Sequence, residues 1–203
     1  VITCPESFAI EFTDRHRGIG GDGIVLIEKS DVADAKMRIF NRDGSEGEMA
    51  GNSIRCVGKY LYDNGIVVNK ENITVETASG IRSLELFTRN GKVSSVTVDM
   101  GKAYLKPAEI PAEFDGDSII ARKAQIGSKE YSVTCVSVGN PHCVIFVDNV
   151  DRVDIEKVGP QIENADIFPE RINTEFVRVV NSRTLKMRVW ERGNGETLAC
   201  GTG

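Results

Sequence analysis

Apolar and polar positions alternate with a period of two over several stretches of the chain, each flanked by turn-forming residues, and this pattern predicts strands. ITVETASGIRSLELF reads as a hairpin across Ser79-Gly80, and SLELFTRNGKVSSVTVDM as a second across Asn90-Gly91, a dipeptide suited to two-residue turns. VSVGNPHCVIFVD (136–148) reads as strand, Gly-Asn-Pro turn and a second, mostly apolar strand, while EFVRVVNS and TLKMRVWER supply two more. Helical spacing is scarcer. SFAIEFTDRH (7–16) is one candidate and NSIRCVGKYLYDNG (52–65) a second, with Ile54, Val57, Gly58 and Leu61 on one face and Asn64-Gly65 as its stop. DIEKVGPQIEN (154–164) is a weaker third, expected to break near Pro160. The mixture predicts a strand-rich α+β fold. A pause in the pattern around residues 101–107 predicts two domains, 1–102 and 103–203.

A shift of the chain by 150 residues exposes an internal repeat. KMRIFNR (36–42) then lies on KMRVWER (186–192), with Lys36/Lys186, Met37/Met187, Arg38/Arg188 and Arg42/Arg192 identical. The register continues without gaps on either side: Leu26 and Ile27 meet Phe176 and Val177, Glu46 meets Glu196, and Gly51 meets Gly201. Chance similarity between strands supplies alternating apolar residues, not shared Lys, Arg, Glu and Gly, so the repeat reads as a duplication. In each copy a strand runs into a glycine-rich loop, NRDGSEGEMAGN or ERGNGETLACGTG, and in the first copy a helix follows. Two such units related by a pseudo-two-fold would aim two helix starts at a common cleft, where free N–H groups and the positive dipole end favour a carboxylate.

Composition narrows the partners. At 203 residues and 40% hydrophobic content the chain can bury a sizeable core. A formal charge of −5, with no run of Lys or Arg beyond two, offers no footprint for nucleic acid or an anionic membrane. A small polar ligand is the better expectation. No apolar stretch approaches a membrane span and the N-terminus lacks the features of a signal peptide, which predicts a soluble, cytoplasmic protein. The five cysteines (Cys4, Cys56, Cys135, Cys143, Cys200) are odd in number and form no C-x-x-C, and His16 and His142 lie far apart, so neither a disulfide framework nor a zinc site is expected.

Cys200 precedes the second expected helix start, where a dipole would lower its thiol pKa from about 8.5. Its repeat partner is Ala50, so a symmetric device holds one thiol where it would be expected to hold two. Inverting a stereocentre beside a carboxylate needs a base on one face and an acid on the other, and helix-start N–H groups would stabilise the charge that develops, without a pyridoxal electron sink. No lysine for such a cofactor stands out.

These residues carry a family resemblance. NRDGSEGEMAGNSIRCVGKYL resembles the first thiol motif of the diaminopimelate epimerases and ERGNGETLACGTG the second. FPERINTEF and SVGNPHCVIFV resemble the family's other substrate-contacting segments, and DRHRGIGGDGIVLIE its early strand region. The resemblance implies a cofactor-independent epimerase interconverting LL- and meso-2,6-diaminopimelate in lysine and peptidoglycan precursor synthesis. It also implies two pseudo-symmetric domains, each a mixed β-sheet wrapped around a central helix. Cys200 is then one acid/base, and Ala50 stands where the family keeps the other cysteine. Gly51, Asn52, Gly201 and Thr202 would donate to the carboxylate at the reacting centre. Asn41, Asn140, Asn173 and Arg192 resemble the residues that hold substrate, with Arg192 offering a planar fork to a carboxylate. His142 and Glu191 resemble the groups that tune thiol proton affinity. Bland alternatives stand beside these roles: turn chemistry for Asn140 and His142, and a surface ion pair for Glu191 with Arg192. No metal or cofactor is implied, and a homodimer is left open.

The sequence departs from the family pattern at Ala50, begins after the family's first strands and stops at Gly203, where the second helix should start. It therefore reads as a piece of a longer protein, with inversion impaired by an alanine either engineered or selected. Two rivals remain at this stage. One is a racemase of another amino acid such as proline, against which stands AGNS, with Asn52 where proline racemases resemble C-G-H-G. The other is a catalytically dead diaminopimelate-binding protein.

Overall fold

The computed structural model describes residues 2–68 and 70–203. The chain forms two compact units, one running to Gly101 and taking in Thr202, the other Lys102–Gly201 with Gly203. The first contains α1 (Pro5–Thr13), β1 (Gly23–Glu28), β2 (Ala35–Asn41), β3 (Glu46–Gly47), α2 (Gly51–Asp63), β4 (Asn72–Thr77), β5 (Gly80–Arg89) and β6 (Lys92–Val98). Its sheet runs β1-β2-β4-β5-β6, with β3 also on β2, and is mixed because β2 and β4 are parallel. Helix α2 buries Ile54, Val57, Gly58 and Leu61, the face predicted from their spacing. That face joins Val75, Leu84, Leu86 and Val93 in one apolar core. The Asn90-Gly91 turn also forms as expected, with φ of 54° and 75°, the left-handed pair a two-residue hairpin loop demands.

The second unit contains β7 (Arg122–Ile126), β8 (Lys129–Ser137), β9 (Pro141–Phe146), α3 (Ile155–Glu163), β10 (Asn173–Asn181), β11 (Thr184–Glu191) and β12 (Gly195–Thr197). Its strands lie in the order β12-β11-β10-β9-β8-β7, with β9 and β10 parallel and the other pairs antiparallel. Ile155 and Ile162 of α3 pack with Val133, Ile145, Phe168 and Phe176. Both units are therefore mixed sheets packed on a helix, and the chain is α+β. No helix among the described residues is long and apolar enough to cross a membrane.

Two helices differ from expectation. The first stops at Thr13 rather than His16, because the Asp14 carboxylate accepts from the backbone N–H groups of His16 and Arg17 and folds the chain into a turn. The third does not break at Pro160. It runs through to Glu163, and burial of Ile155, Gly159 and Ile162 offsets the one hydrogen bond that proline removes. Gly159 permits this packing, since a Cβ there would come within 2.5 Å of Cγ in the Trp190 indole.

The repeat seen in sequence is a repeat of backbone pairing. In the first unit Val25 faces Ile39, Leu26 faces Arg38 and Ile27 faces Met37. In the second, Glu175 faces Val189, Phe176 faces Arg188 and Val177 faces Met187. The short return strands also match: Ile39 pairs Gly47 and Phe40 pairs Glu46, as Val189 pairs Thr197 and Trp190 pairs Glu196.

Candidate active site

In each copy the second strand ends in a tight loop that delivers the site residues. Asn41 closes β2, its carbonyl accepting from Gly44 N–H at 2.9 Å and its side-chain amide donating to Ser45 Oγ at 3.1 Å. Glu191 closes β11, its carbonyl accepting from Asn194 N–H at 3.0 Å and its carboxylate accepting from Thr197 Oγ1 at 2.5 Å. The backbone turn is thus shared, while a neutral amide in one copy is replaced by an ionisable acid in the other.

The first loop leads through Ala50, the N-cap of α2, into Gly51 and Asn52. Ala50 is half-buried against the apolar core and its carbonyl accepts from Ile54 N–H at 3.1 Å. Gly51 is buried and opens a helix of 13 residues, and the N–H groups of its first turn point out of this end, the orientation an anion site uses. Asn52 Oδ1 accepts from Arg55 at 2.5 Å. The second loop leads to a half-buried Cys200, an exposed Gly201 and a half-buried Thr202.

Around Cys200 the unit assembles a buried polar group. His142, at the start of β9, is 1% exposed and Glu175, on β10, is 0% exposed. In the parallel pair His142 lies opposite Asn173, and Glu175 comes two residues later on the same face. The imidazole Nδ1 lies 2.6 Å from Glu175 Oε1 and Nε2 lies 3.0 Å from Asn140 Oδ1. Cys200 Sγ completes the cluster, with one polar atom each of His142, Glu175 and Cys200 within 4.8 Å of one another. Among the described residues these three are the group that could hold a metal ion. The imidazole–carboxylate separation is that of a hydrogen bond, shorter than the roughly 3.3 Å between two ligands on one tetrahedral zinc, so the arrangement is a hydrogen-bonded imidazole and carboxylate with a thiol beside them.

Asn173 and Arg192 belong to the same frame. Asn173 donates from Nδ2 to the Pro141 carbonyl at 2.8 Å and accepts through Oδ1 from Arg192 N–H at 2.9 Å, tying the start of β9 to the Glu191 loop. The Arg192 guanidinium donates to the Glu170 carbonyl at 3.0 Å. Glu163 holds the loop from below. Its carboxylate accepts from Trp190 Nε1 at 2.7 Å, Gly193 N–H at 2.9 Å and Arg171 at 3.2 Å. The structure places Asn140 and Cys200 beside His142, while Asn173 ties the start of β9 to the Glu191 loop.

The other thiols suit chemistry less. Cys4 and Cys56 are exposed. Cys135 and Cys143 face each other across β8 and β9, both fully buried. Hydrogen bonding to Cys135, then burial and the nearby Cys135 and Glu175 charges, push the Cys143 thiol well above its usual range.

Sequence reasoning missed Glu175. Its partner is 33 residues away, beyond any local motif. The repeat held the signal, because the position equivalent to Glu175 is Val25, which packs on the first core. An acid on the fully buried run of a strand, where the sister strand has valine, marks a site that packing does not explain.

Comparison with known proteins adds to this geometry. A sequence model of the family "Diaminopimelate epimerase" matches residues 2–106 and 134–203. The diaminopimelate epimerase of Acetivibrio thermocellus is 56% identical over 199 residues, covering 98% of this chain and 71% of that protein. The one from Desulfovibrio desulfuricans is 51% identical over 208 residues, covering 100% and 72%. Among solved structures, a hydroxyproline epimerase from Agrobacterium vitis aligns with a TM-score of 0.72 at 17% identity, over 98% of this chain and 61% of that one. A probable proline racemase from Agrobacterium radiobacter aligns at 0.71 and 15% identity, over 94% and 60%. At these identities the structural likeness speaks for the fold.

Proposed function

The chain belongs to the diaminopimelate epimerase family, and on that footing we propose that it acts on 2,6-diaminopimelate, with Cys200 as the acid/base for one face of the α-carbon. The observation that carries this reading is the buried His142–Glu175 couple beside the Cys200 thiol, at the end of a strand-loop unit duplicated in the other half of the chain. A thiol in polar, partly enclosed surroundings can take a proton from a carbon flanked by a carboxylate and an ammonium, and return it. Asn140, Asn173 and Arg192 are assigned to holding the substrate, Glu191 and His142 to adjusting the thiols.

Position 50 is the counterpart acid/base in this scheme. A methyl group neither accepts nor donates a proton, so with Ala50 the chain removes and returns the proton on one face and inverts poorly. The test is incubation with LL- and meso-diaminopimelate in D₂O, following deuterium uptake and isomer ratio separately for the chain and for Ala50→Cys. Uptake with retention by the first, and inversion regained by the second, support the proposal. Equal inversion by both removes position 50 from the mechanism. Ala50 also favours a second reading, a protein that binds diaminopimelate without reaction. Saturable binding with no deuterium uptake would select it.

A further inference from the structure

The two ring nitrogens of His142 have unlike partners. An ionised carboxylate only accepts hydrogen bonds, so with Glu175 in that form the 2.6 Å contact is made by a proton on Nδ1. An amide accepts at one end and donates at the other, and the ends have the same shape. Asn140 therefore accepts from a protonated Nε2 in the orientation seen, or, turned over, donates to a bare one. One partner fixes the ring and the other accommodates both of its forms. We infer that Glu175 is a positioning residue that holds His142, a neighbour of the Cys200 thiol, with Nδ1 protonated, so that the ring exchanges its working proton through Nε2 alone. The consequence for proton transfer rests on the reading of Cys200 above, while the state of the ring does not.

Burial gives the pairing force. Neither side chain reaches water, and Glu175 Oε2 has no hydrogen-bond partner among the described residues. The His142 bond is thus the hydrogen bond that stabilises this enclosed carboxylate, and breaking such a buried pair is costly. The polar and ionisable groups gathered here are Asn140 beside the ring, Cys143 within reach of the carboxylate charge, and Cys200. Held this way, the imidazole cannot spin or change tautomer as protons move, the service a buried carboxylate gives to a working histidine. In Glu175→Gln the amide can present N–H to Nδ1 and stabilise the opposite tautomer.

The chain's two histidines make the test direct. In ¹⁵N-histidine-labelled protein, His16→Asn leaves His142 as the sole signal. The expected spectrum shows a strongly low-field proton on Nδ1. Glu175→Asp should keep the Nδ1 proton, and Glu175→Gln should lose it or show both tautomers. A bare Nδ1 in the unmutated protein overturns the inference, and so does a Glu175→Gln spectrum identical to it. Should Glu175→Gln fail to fold, the parent and Glu175→Asp spectra still decide. Peptide-resolved alkylation by iodoacetamide supplies the second readout: Cys200 should slow about tenfold in Glu175→Gln, with exposed Cys4 and Cys56 unchanged. An unaltered Cys200 rate beside an altered tautomer would overturn the link to the thiol. Absence of isotope exchange with diaminopimelate would count against the proposed function and leave these spectra as they are.

Discussion

Arg38 grips Glu46 through a two-bond fork, Nε to Oε1 at 2.7 Å and Nη2 to Oε2 at 2.9 Å. Arg188 grips Glu196 in the other unit with 2.7 Å and 3.0 Å. The forks span β2–β3 and β11–β12 at equivalent registers. They are not equal in worth, because Arg188 also donates to the Val150 and Val153 carbonyls at 3.1 and 2.9 Å. Glu46→Gln and Glu196→Gln should each cost about 1 kcal/mol or less, as partly exposed pairs do. Arg188→Met should cost about 2 kcal/mol more than Arg38→Met, since two carbonyls lose a charged donor. Urea unfolding of the four variants checks this, and equal costs for the two arginines would show that those carbonyls find water.

Glu163 lies under the loop that carries Glu191 and Arg192. Glu163→Ala should destabilise the second unit by about 2–4 kcal/mol, because three donors lose a buried acceptor. Trp190 is the only tryptophan and bonds this carboxylate directly, so its emission reports the event. A variant with parent stability and unchanged Trp190 emission would dismiss the anchoring role.

Both helices turn a glycine toward their sheet, against different neighbours. A Cβ on Gly58 would meet Leu84 Cδ2 at 2.8 Å and Leu86 Cδ2 at 3.2 Å, the yielding tips of side chains. On Gly159 it would enter the rigid Trp190 ring system. Helix propensity gains up to about 1 kcal/mol on going from Gly to Ala, so Gly58→Ala should be near neutral, whereas Gly159→Ala should lose about 1–3 kcal/mol to overpacking. Thermal denaturation of both variants separates the two, and the reverse order would contradict the packing described.

Acid should unfold the chain in a defined direction. The Lys70 ammonium, then the Thr74 N–H, hold Asp34 below its usual range, and Arg38 does the same for Glu46. A carboxyl depressed on folding stabilises the native state above its unfolded pKa, and that contribution disappears as pH falls through the lower, folded value. The urea midpoint should therefore vary little between about pH 7 and about pH 5 and drop below about pH 4. Asp34→Asn should be less stable at neutral pH and show a shallower acid decline. A variant that keeps the full acid slope would place the sensitivity elsewhere.

Much of the frame was readable because its causes are local. Asn90-Gly91 sets its hairpin, and the spacing of Ile54, Val57, Gly58 and Leu61 sets the buried face of α2. The shift by 150 residues anticipated identical strand pairing. What escaped depends on distant partners or on single side chains acting against the local trend. Asp14 ends α1 early by capturing two N–H groups, and Trp190 supports α3 across Pro160 from 30 residues away. Motif resemblance brought Asn140, His142, Asn173 and Cys200 into view, but not Glu175, whose meaning appears only when β9 lies beside β10.

The shared pairing register separates what the two ribbons keep from what they vary. Positions 38/188 and 46/196 hold the strands together in both copies, while 25/175, 41/191 and 47/197 differ in chemistry on the same backbone. The duplicated ribbon is therefore a chassis with interchangeable fittings. Mutagenesis libraries aimed at Asn41, Gly47, Glu191 and Thr197, with the Arg–Glu forks left alone, would explore new substrate preferences on strands whose alignment stays put.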